Sequence, residues 1–292
     1  MRITVIGGAG RMGQWFVKYF IKNGDDVTFS DIKKCEAKTI ATKTHATFIP
    51  SNIAAVADAE IVLISTPIKV IADVLKEISG SLSRDTCVME ISSLKKPIIP
   101  SLKRIAASGP TVISAHPLFG AGFRKMKQAK IAMVPVMRRD LEERKIRELF
   151  PWAKILVVDV ENHDRFMALT LSLTHFVNIV FASIISEEDL DLLDNLGGST
   201  FALQSVLSEG IMTEDPVLYA AIQMENSYAK EYMDKFLSRA KTLRKYVLEK
   251  KCEDFVEFYS KTKQSLLVHQ GFSDAYDKMY KALESVLSDP HN

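Results

Sequence analysis

The stretch Ile3-Thr4-Val5-Ile6-Gly7-Gly8-Ala9-Gly10-Arg11-Met12-Gly13 decides the fold. Its first four residues read as a buried strand, and the segment after Gly13, carrying Trp15, Phe16 and Tyr19, reads as a helix. Gly8, Gly10 and Gly13 occupy the three positions of a dinucleotide fingerprint: a tight turn, a close backbone approach to a pyrophosphate, and a contact between helix and strand. Ala9, Arg11 and Met12 complete the loop, and the helix N-terminus offers N–H groups and a partial positive charge to phosphates. At the end of the second strand, Val27-Thr28-Phe29, Asp31 is placed to accept hydrogen bonds from ribose hydroxyls and to repel a 2′-phosphate. NAD is therefore favoured over NADP as cofactor, although Lys33 and Lys34 beside it could each reach a phosphate.

Working outward, short β-branched runs alternate with helical stretches through the first half: Ile61–Ile64, Cys87–Met89, Val112-Ile113, Ile131–Val134 and Ile155–Val158 all read as strands. From about Asn162 the pattern turns helical, with one long apolar helix over Asn162–Ser186, a second over Pro216–Lys250 and a third from Glu253 towards Leu287, and with Gly197-Gly198 as a break. The expected fold class is α/β, an N-terminal Rossmann-type doubly wound parallel sheet over residues 1–158 followed by an all-α dimerisation domain over residues 159–292.

A chain of 292 residues, 47% hydrophobic, can bury two moderate cores. Its net charge of +2, with Lys and Arg spread along the chain, argues against a nucleic-acid partner, and the basic stretch Arg124–Arg147 reads as a solvated face. Three unpaired-looking cysteines, Cys35, Cys87 and Cys252, make neither a disulfide framework nor a metal site, and the chain opens on a strand with no export-type leader, so a cytoplasmic location is expected. The uncharged run Leu169–Ile185 is short for a span and holds Thr170, Thr174, His175 and Asn178, which favours a buried helix over a membrane segment.

The ends of parallel strands open into a ligand crevice, so polar residues there carry functional weight. Thr66 and Pro67 follow one strand, Ser92-Ser93-Leu94-Lys95 the next, and Ser114-Ala115-His116-Pro117-Leu118-Phe119-Gly120 the one after. Ser93 reads equally as an N-cap of the helix leading to Arg104, and His116 as a satisfied histidine of a His-Pro turn.

Taken in order these residues resemble the prephenate dehydrogenase family. The resemblance is carried by the glycine loop, the Ser93-Leu94-Lys95 segment, His116-Pro117-Leu118-Phe119-Gly120, His163-Asp164, His175-Phe176 and Asp215–Ala220. It implies oxidative decarboxylation of prephenate to 4-hydroxyphenylpyruvate in tyrosine biosynthesis, with NAD taking the hydride, and a helical half that forms a homodimer. It further implies His116 as the base, Ser93 as its hydrogen-bonding companion, and His175 and His163 as substrate contacts. Asp164, Ala168 and Leu171 would share a helix face with His175. One position departs from the family: its carboxylate-binding arginine would fall at Ala202, so Arg124 and Lys125 are the candidates to replace it. That departure keeps an arogenate dehydrogenase and a nucleotide-binding regulator without turnover open as alternatives; a different two-domain NAD(P)-linked or deazaflavin-linked reductase shares the glycine loop, but His116 and His175 argue against it.

Overall fold

The computed structural model describes residues 1–287. The chain divides into two units, Met1–Met167 and the residues from Ala168 onward. The first is built on eight strands: β1 (Arg2–Ile6), β2 (Asp26–Ser30), β3 (Thr47–Phe48), β4 (Ile61–Ile64), β5 (Cys87–Glu90), β6 (Thr111–Pro117), β7 (Lys130–Val134) and β8 (Lys154–Val157). They form one sheet in the order β3-β2-β1-β4-β5-β6-β7-β8. All pairings are parallel except that of β6 with β7, where His116 faces Ala132 and Pro117 faces Ile131. The order reverses between β1 and β4, the switch point at which such sheets open a crevice beyond the strand carboxyl ends.

Seven helices accompany these strands: α1 (Arg11–Lys22), α2 (Lys34–Thr44), α3 (Asn52–Val56), α4 (Ile68–Ile78), α5 (Ile99–Ala107), α6 (Arg139–Leu149) and α7 (Val160–Met167). The two-residue period of the strands sorts their side chains into two cores. Ile3, Val5, Leu63, Met89 and Ile113 pack with Phe16 and Phe20 of α1 and Ile146 of α6. Val62, Ile64, Val88 and Val112 pack with Ile71 and Leu75 of α4 and Leu102 of α5. Continuing that alternation places Glu90, Ser114 and His116 on the second face, at its carboxyl end. His116 and Pro117 are therefore strand residues and not a turn; a proline with no N–H to give is tolerated at the last position of β6.

The second unit is helical among the described residues: α8 (Thr174–Ile185), α9 (Leu190–Leu196), α10 (Ser199–Met212), α11 (Pro216–Met224), α12 (Ala229–Leu248), α13 (Cys252–Leu266) and α14 (Ala275–Leu287). The helix expected over Pro216–Lys250 is two helices, broken where Asn226 Oδ1 accepts the Tyr228 amide in a local turn that competes with the helical ladder. The stretch from Glu253 likewise divides into α13 and α14.

Between α7 and α8 the run Ala168–Leu173 winds as a π-helix, inside a continuous helical stretch Val160–Ile185. Wider turns shift the phase of everything beyond them, so the shared face read from Asp164 to His175 on uniform 3.6-residue turns does not follow. That stretch is also less buried than its composition suggested: 28% of its most apolar window is buried within the chain, with Val180 and Ile184 exposed. By length and composition it is the one helix among the described residues long and apolar enough to cross a membrane. Its Asn178 is nonetheless buried and hydrogen-bonded to Gln204 and Ser208 of α10.

Candidate functional site

The glycine loop leaves β1 and enters α1 under close steric control. Gly7, with φ of +81°, makes the turn, and a Cβ there would lie 2.6 Å from the Ser65 carbonyl oxygen. A Cβ on Gly13 would fall 2.0 Å from the Gly7 carbonyl oxygen, so helix and strand approach through that missing side chain. The turn assigned from sequence to Gly8 thus belongs to Gly7; Gly8 is required because Phe29 packs against it. Gly10 is the N-cap of α1 and supplies no side-chain cap, and no acidic residue lies in the first turn. The first-turn amides, with Arg11 and Met12, therefore suit an anion from outside the chain.

Asp31 stands beside this loop, Oδ2 accepting the Ala9 amide at 2.9 Å and Oδ1 the Lys33 amide at 2.8 Å. Each carboxylate oxygen keeps a further lone pair for a ribose hydroxyl. Lys33 and Lys34 are exposed at the start of α2. Across the switch point, Thr66 and the exposed Pro67 follow β4, and Thr66 Oγ1 is buried without a partner. An uncapped helix N-terminus, a carboxylate at the second strand end and an unsatisfied hydroxyl opposite are the donor and acceptor set a dinucleotide requires.

At the ends of β5 and β6 lies a buried polar network. Glu90 is fully buried, its Oε1 accepting Lys95 Nζ at 2.7 Å and Ser114 Oγ at 2.5 Å, its Oε2 accepting the Ser92 amide and hydroxyl at 2.7 and 2.6 Å. Lys95, also fully buried, donates a second Nζ bond to the Ala115 carbonyl, one residue before His116. Burial pulls the Lys95 ammonium below its ordinary pKa, against the opposing pull of Glu90.

His116 is 5% exposed, and its Nδ1 lies 3.1 Å from Nε2 of His163. His163, 2% exposed, places its Nδ1 2.7 Å from Asp164 Oδ1. Asp164 also accepts the Lys95 and Lys96 amides, each at 2.9 Å. Burial opposes ionisation of the Asp164 carboxyl, but the hydrogen bonds from His163 and the Lys96 and Lys95 amides outweigh it and hold the pKa below the ordinary value. Burial first, then the Lys95 charge and His163, push His116 well below the ordinary imidazole value of 6.5. A neutral, buried imidazole at a strand end can accept a proton from a bound hydroxyl.

The remaining sequence candidates divide. Ser93 is half-buried in the β5–α5 connection and is not the N-cap of α5, which begins at Ile99 behind Ile98. Both ring nitrogens of His163 are engaged within the chain, Nε2 by His116 and Nδ1 by Asp164. Arg124 and Lys125 are exposed on the connection between β6 and β7. That connection is held to α1 by Trp15, whose Nε1 donates to the Phe123 carbonyl at 3.2 Å and whose ring meets Phe119 at 5.1 Å. In the second unit, His175 is half-buried with its ring edge against Tyr219 at 4.8 Å, and its Nδ1 is buried without a partner. Burial lowers its pKa. Ala202 lies on α10 among Phe201, Leu203 and Gln204, with no cation adjacent in sequence.

Sequence reasoning missed Glu90, Lys95 and Ser114 as a unit. A carboxylate closing the apolar run Cys87-Val88-Met89-Glu90 was the available signal, since a buried charge demands a cation.

Fold and site together define a dinucleotide-binding protein of the Rossmann class. The family model "Prephenate dehydrogenase, nucleotide-binding domain" matches residues 18–134, and "Prephenate dehydrogenase, dimerization domain" matches residues 159–261. The chain belongs to the prephenate dehydrogenase family, whose members are NAD-dependent oxidoreductases. It is 29% identical over 265 residues to the probable arogenate/prephenate dehydrogenase of Methanocaldococcus jannaschii, covering 88% of this chain and 59% of that protein. It is 23% identical over 230 residues to the T-protein of Haemophilus influenzae, covering 77% of this chain and 56% of that one. The chain thus spans 56–60% of the length of the first three curated relatives it matches. In three dimensions it is similar to prephenate dehydrogenase from A. aeolicus in complex with hydroxyphenyl propionate and NAD+, with a TM-score of 0.74 at 20% identity over 91% of this chain and 97% of that one, a likeness of fold.

Lys95→Met should cost about 3 kcal/mol of stability, because it leaves Glu90 buried without its counter-charge. Denaturant unfolding checks this, and Lys95→Met/Glu90→Gln should recover part of the loss.

Proposed function

We propose that this chain is an NAD-dependent prephenate dehydrogenase, oxidising and decarboxylating prephenate to 4-hydroxyphenylpyruvate and carbon dioxide. The observation that carries the reading is His116, a buried imidazole at the carboxyl end of β6 whose protonation is suppressed by burial and by Lys95. When bound at the glycine loop, NAD supplies the hydride acceptor. Gly8, Ala9, Gly10, Arg11, Met12 and Gly13 hold its pyrophosphate, Asp31 its ribose, and Thr66 and Pro67 line the opposite side of the crevice.

His116 takes the proton of the ring hydroxyl as the carbon bearing it loses hydride. Ser93 steadies that hydroxyl, and His175 is a substrate-contacting residue. Loss of carbon dioxide leaves an aromatic ring, so the protein's task is to orient the substrate and accept one proton. Arg124 and Lys125 supply the charge for the substrate carboxylates that Ala202 cannot. Arogenate is the second reading. Its support is the missing cation at Ala202, together with relatives whose printed names span both substrates.

The helical unit forms a homodimer. Supporting this are the dimerization-domain match and the exposed apolar side chains of Ile184, Leu196, Leu207, Val217 and Met224. The proposed setting is the cytoplasm, consistent with a metabolic enzyme.

Purified protein assayed with prephenate and arogenate, each with NAD and NADP, tests the reading; turnover of neither would leave a different reductase or, with NAD still bound, a nucleotide-binding regulator. His116→Asn should lower kcat by roughly 10²- to 10⁴-fold with NAD affinity unchanged. Only the neutral ring accepts a proton, and its pKa is lowered, so activity should climb with pH in a limb lying below pH 6.5, with no further contribution from His116 above it. The variant should lack that limb. Asp31→Ala should weaken NAD binding and narrow the gap to NADP, read by titration of each cofactor. Sedimentation should give a dimer at micromolar concentration, and a monomer there would contradict the proposed assembly.

A further inference from the structure

We infer that Asp164 and His163 are a positioning pair that fixes the proton of His116 on Nδ1 and leaves Nε2 as the basic nitrogen of the ring. The functional half rests on His116 being the base proposed above; the geometric half stands without any substrate.

The assignment follows from counting protons along one line of atoms. Asp164 receives the Lys95 and Lys96 amides at 2.9 Å each and faces His163 Nδ1 at 2.7 Å. An ionised carboxylate accepts and never donates, so the proton of that third bond sits on His163 Nδ1. A His163 ring with one proton then presents a lone pair at Nε2. His116 Nδ1 lies 3.1 Å from that lone pair, and a hydrogen bond there needs a proton that only His116 can supply. His116 is therefore Nδ1–H, with its lone pair on Nε2. A neutral histidine in water favours the opposite tautomer, which has no acceptor at Nε2, so the pair selects the less common form.

The same line of atoms acts when the proton arrives. His116 gains its proton at Nε2 and keeps the one on Nδ1, so the cation remains on that ring. Its Nδ1–H bond to His163 becomes charge-assisted, and the Asp164 carboxylate at the far end opposes the unfavourable field of Lys95. No proton has to pass through His163. The groups facing His116 in this arrangement are Lys95 with its partner Glu90 from the β5 side, and His163 with Asp164 from α7.

The readout is the ¹⁵N spectrum of the full chain labelled in histidine, at neutral pH, with His116 assigned by its loss in His116→Asn. A protonated Nδ1 and an unprotonated Nε2 are expected. The reverse pattern, which a doubly protonated His163 donating from Nε2 would produce, overturns the inference. His163→Leu should lower kcat by roughly 10²- to 10⁴-fold while leaving NAD affinity unchanged, as loss of a tautomer-setting partner does. Introduced into His116→Asn, it should cost nothing further; an equal loss in that background would mark His163 as merely structural. If His163→Leu does not fold, the tautomer of the unmodified chain still decides. Failure to turn over either substrate would remove the functional reading, while the ¹⁵N pattern would still fix the tautomer of His116.

Discussion

Lys95 makes the contacts on which the first unit's polar end depends. Its ammonium joins Glu90 at the end of β5 to the Ala115 carbonyl of β6, and its amide is held by Asp164 of α7. Three elements distant in sequence thus meet on one residue, with both charges withdrawn from solvent. An ion pair in such a place costs a large desolvation and is tolerated when every remaining donor and acceptor finds a partner. Here Ser92 and Ser114 complete the coordination of Glu90. The result is a rigid polar knot directly beneath the histidine that the proposed chemistry uses, carrying a positive charge that opposes a second one on His116.

The cofactor side relies on the opposite device, the removal of side chains. Gly7, Gly8 and Gly13 let the loop after β1 approach Ser65 beyond β4, Phe29 of β2 and the start of α1 more closely than any Cβ would allow, and Gly10 supplies no side-chain cap. Where the histidine side is held by saturating every polar group, the nucleotide side is left short of partners, with an uncapped helix and the unpaired hydroxyl of Thr66. Unsatisfied groups at the mouth of a crevice favour a ligand; satisfied groups behind it fix geometry.

The helical unit keeps a polar thread of its own. Asn178, Gln204 and Ser208 bond to one another between α8 and α10, and Ser172 and Gln223 link the π-helical segment to α11. Around that thread the unit leaves many apolar side chains exposed, among them Leu196, Val217 and Met224.

The sheet and the glycine loop are legible in the amino-acid order alone, because they are written in local periods: two residues for a strand, fixed spacings for a phosphate loop. The helical character of the second half is legible in the same way. Contacts across long separations are not. Lys95 with Asp164, 69 residues apart, and His116 with His163, 47 apart, meet only once α7 returns to the sheet. The sequence therefore shows neither the His116 partner of His163 nor the Glu90 partner of Lys95. The π-helical turns between Asp164 and His175 were equally invisible, since a phase shift leaves no mark in an apolar run. Spacing along the chain encodes which face a residue lies on; which partner it finds there is decided by packing, and packing is a property of the folded whole.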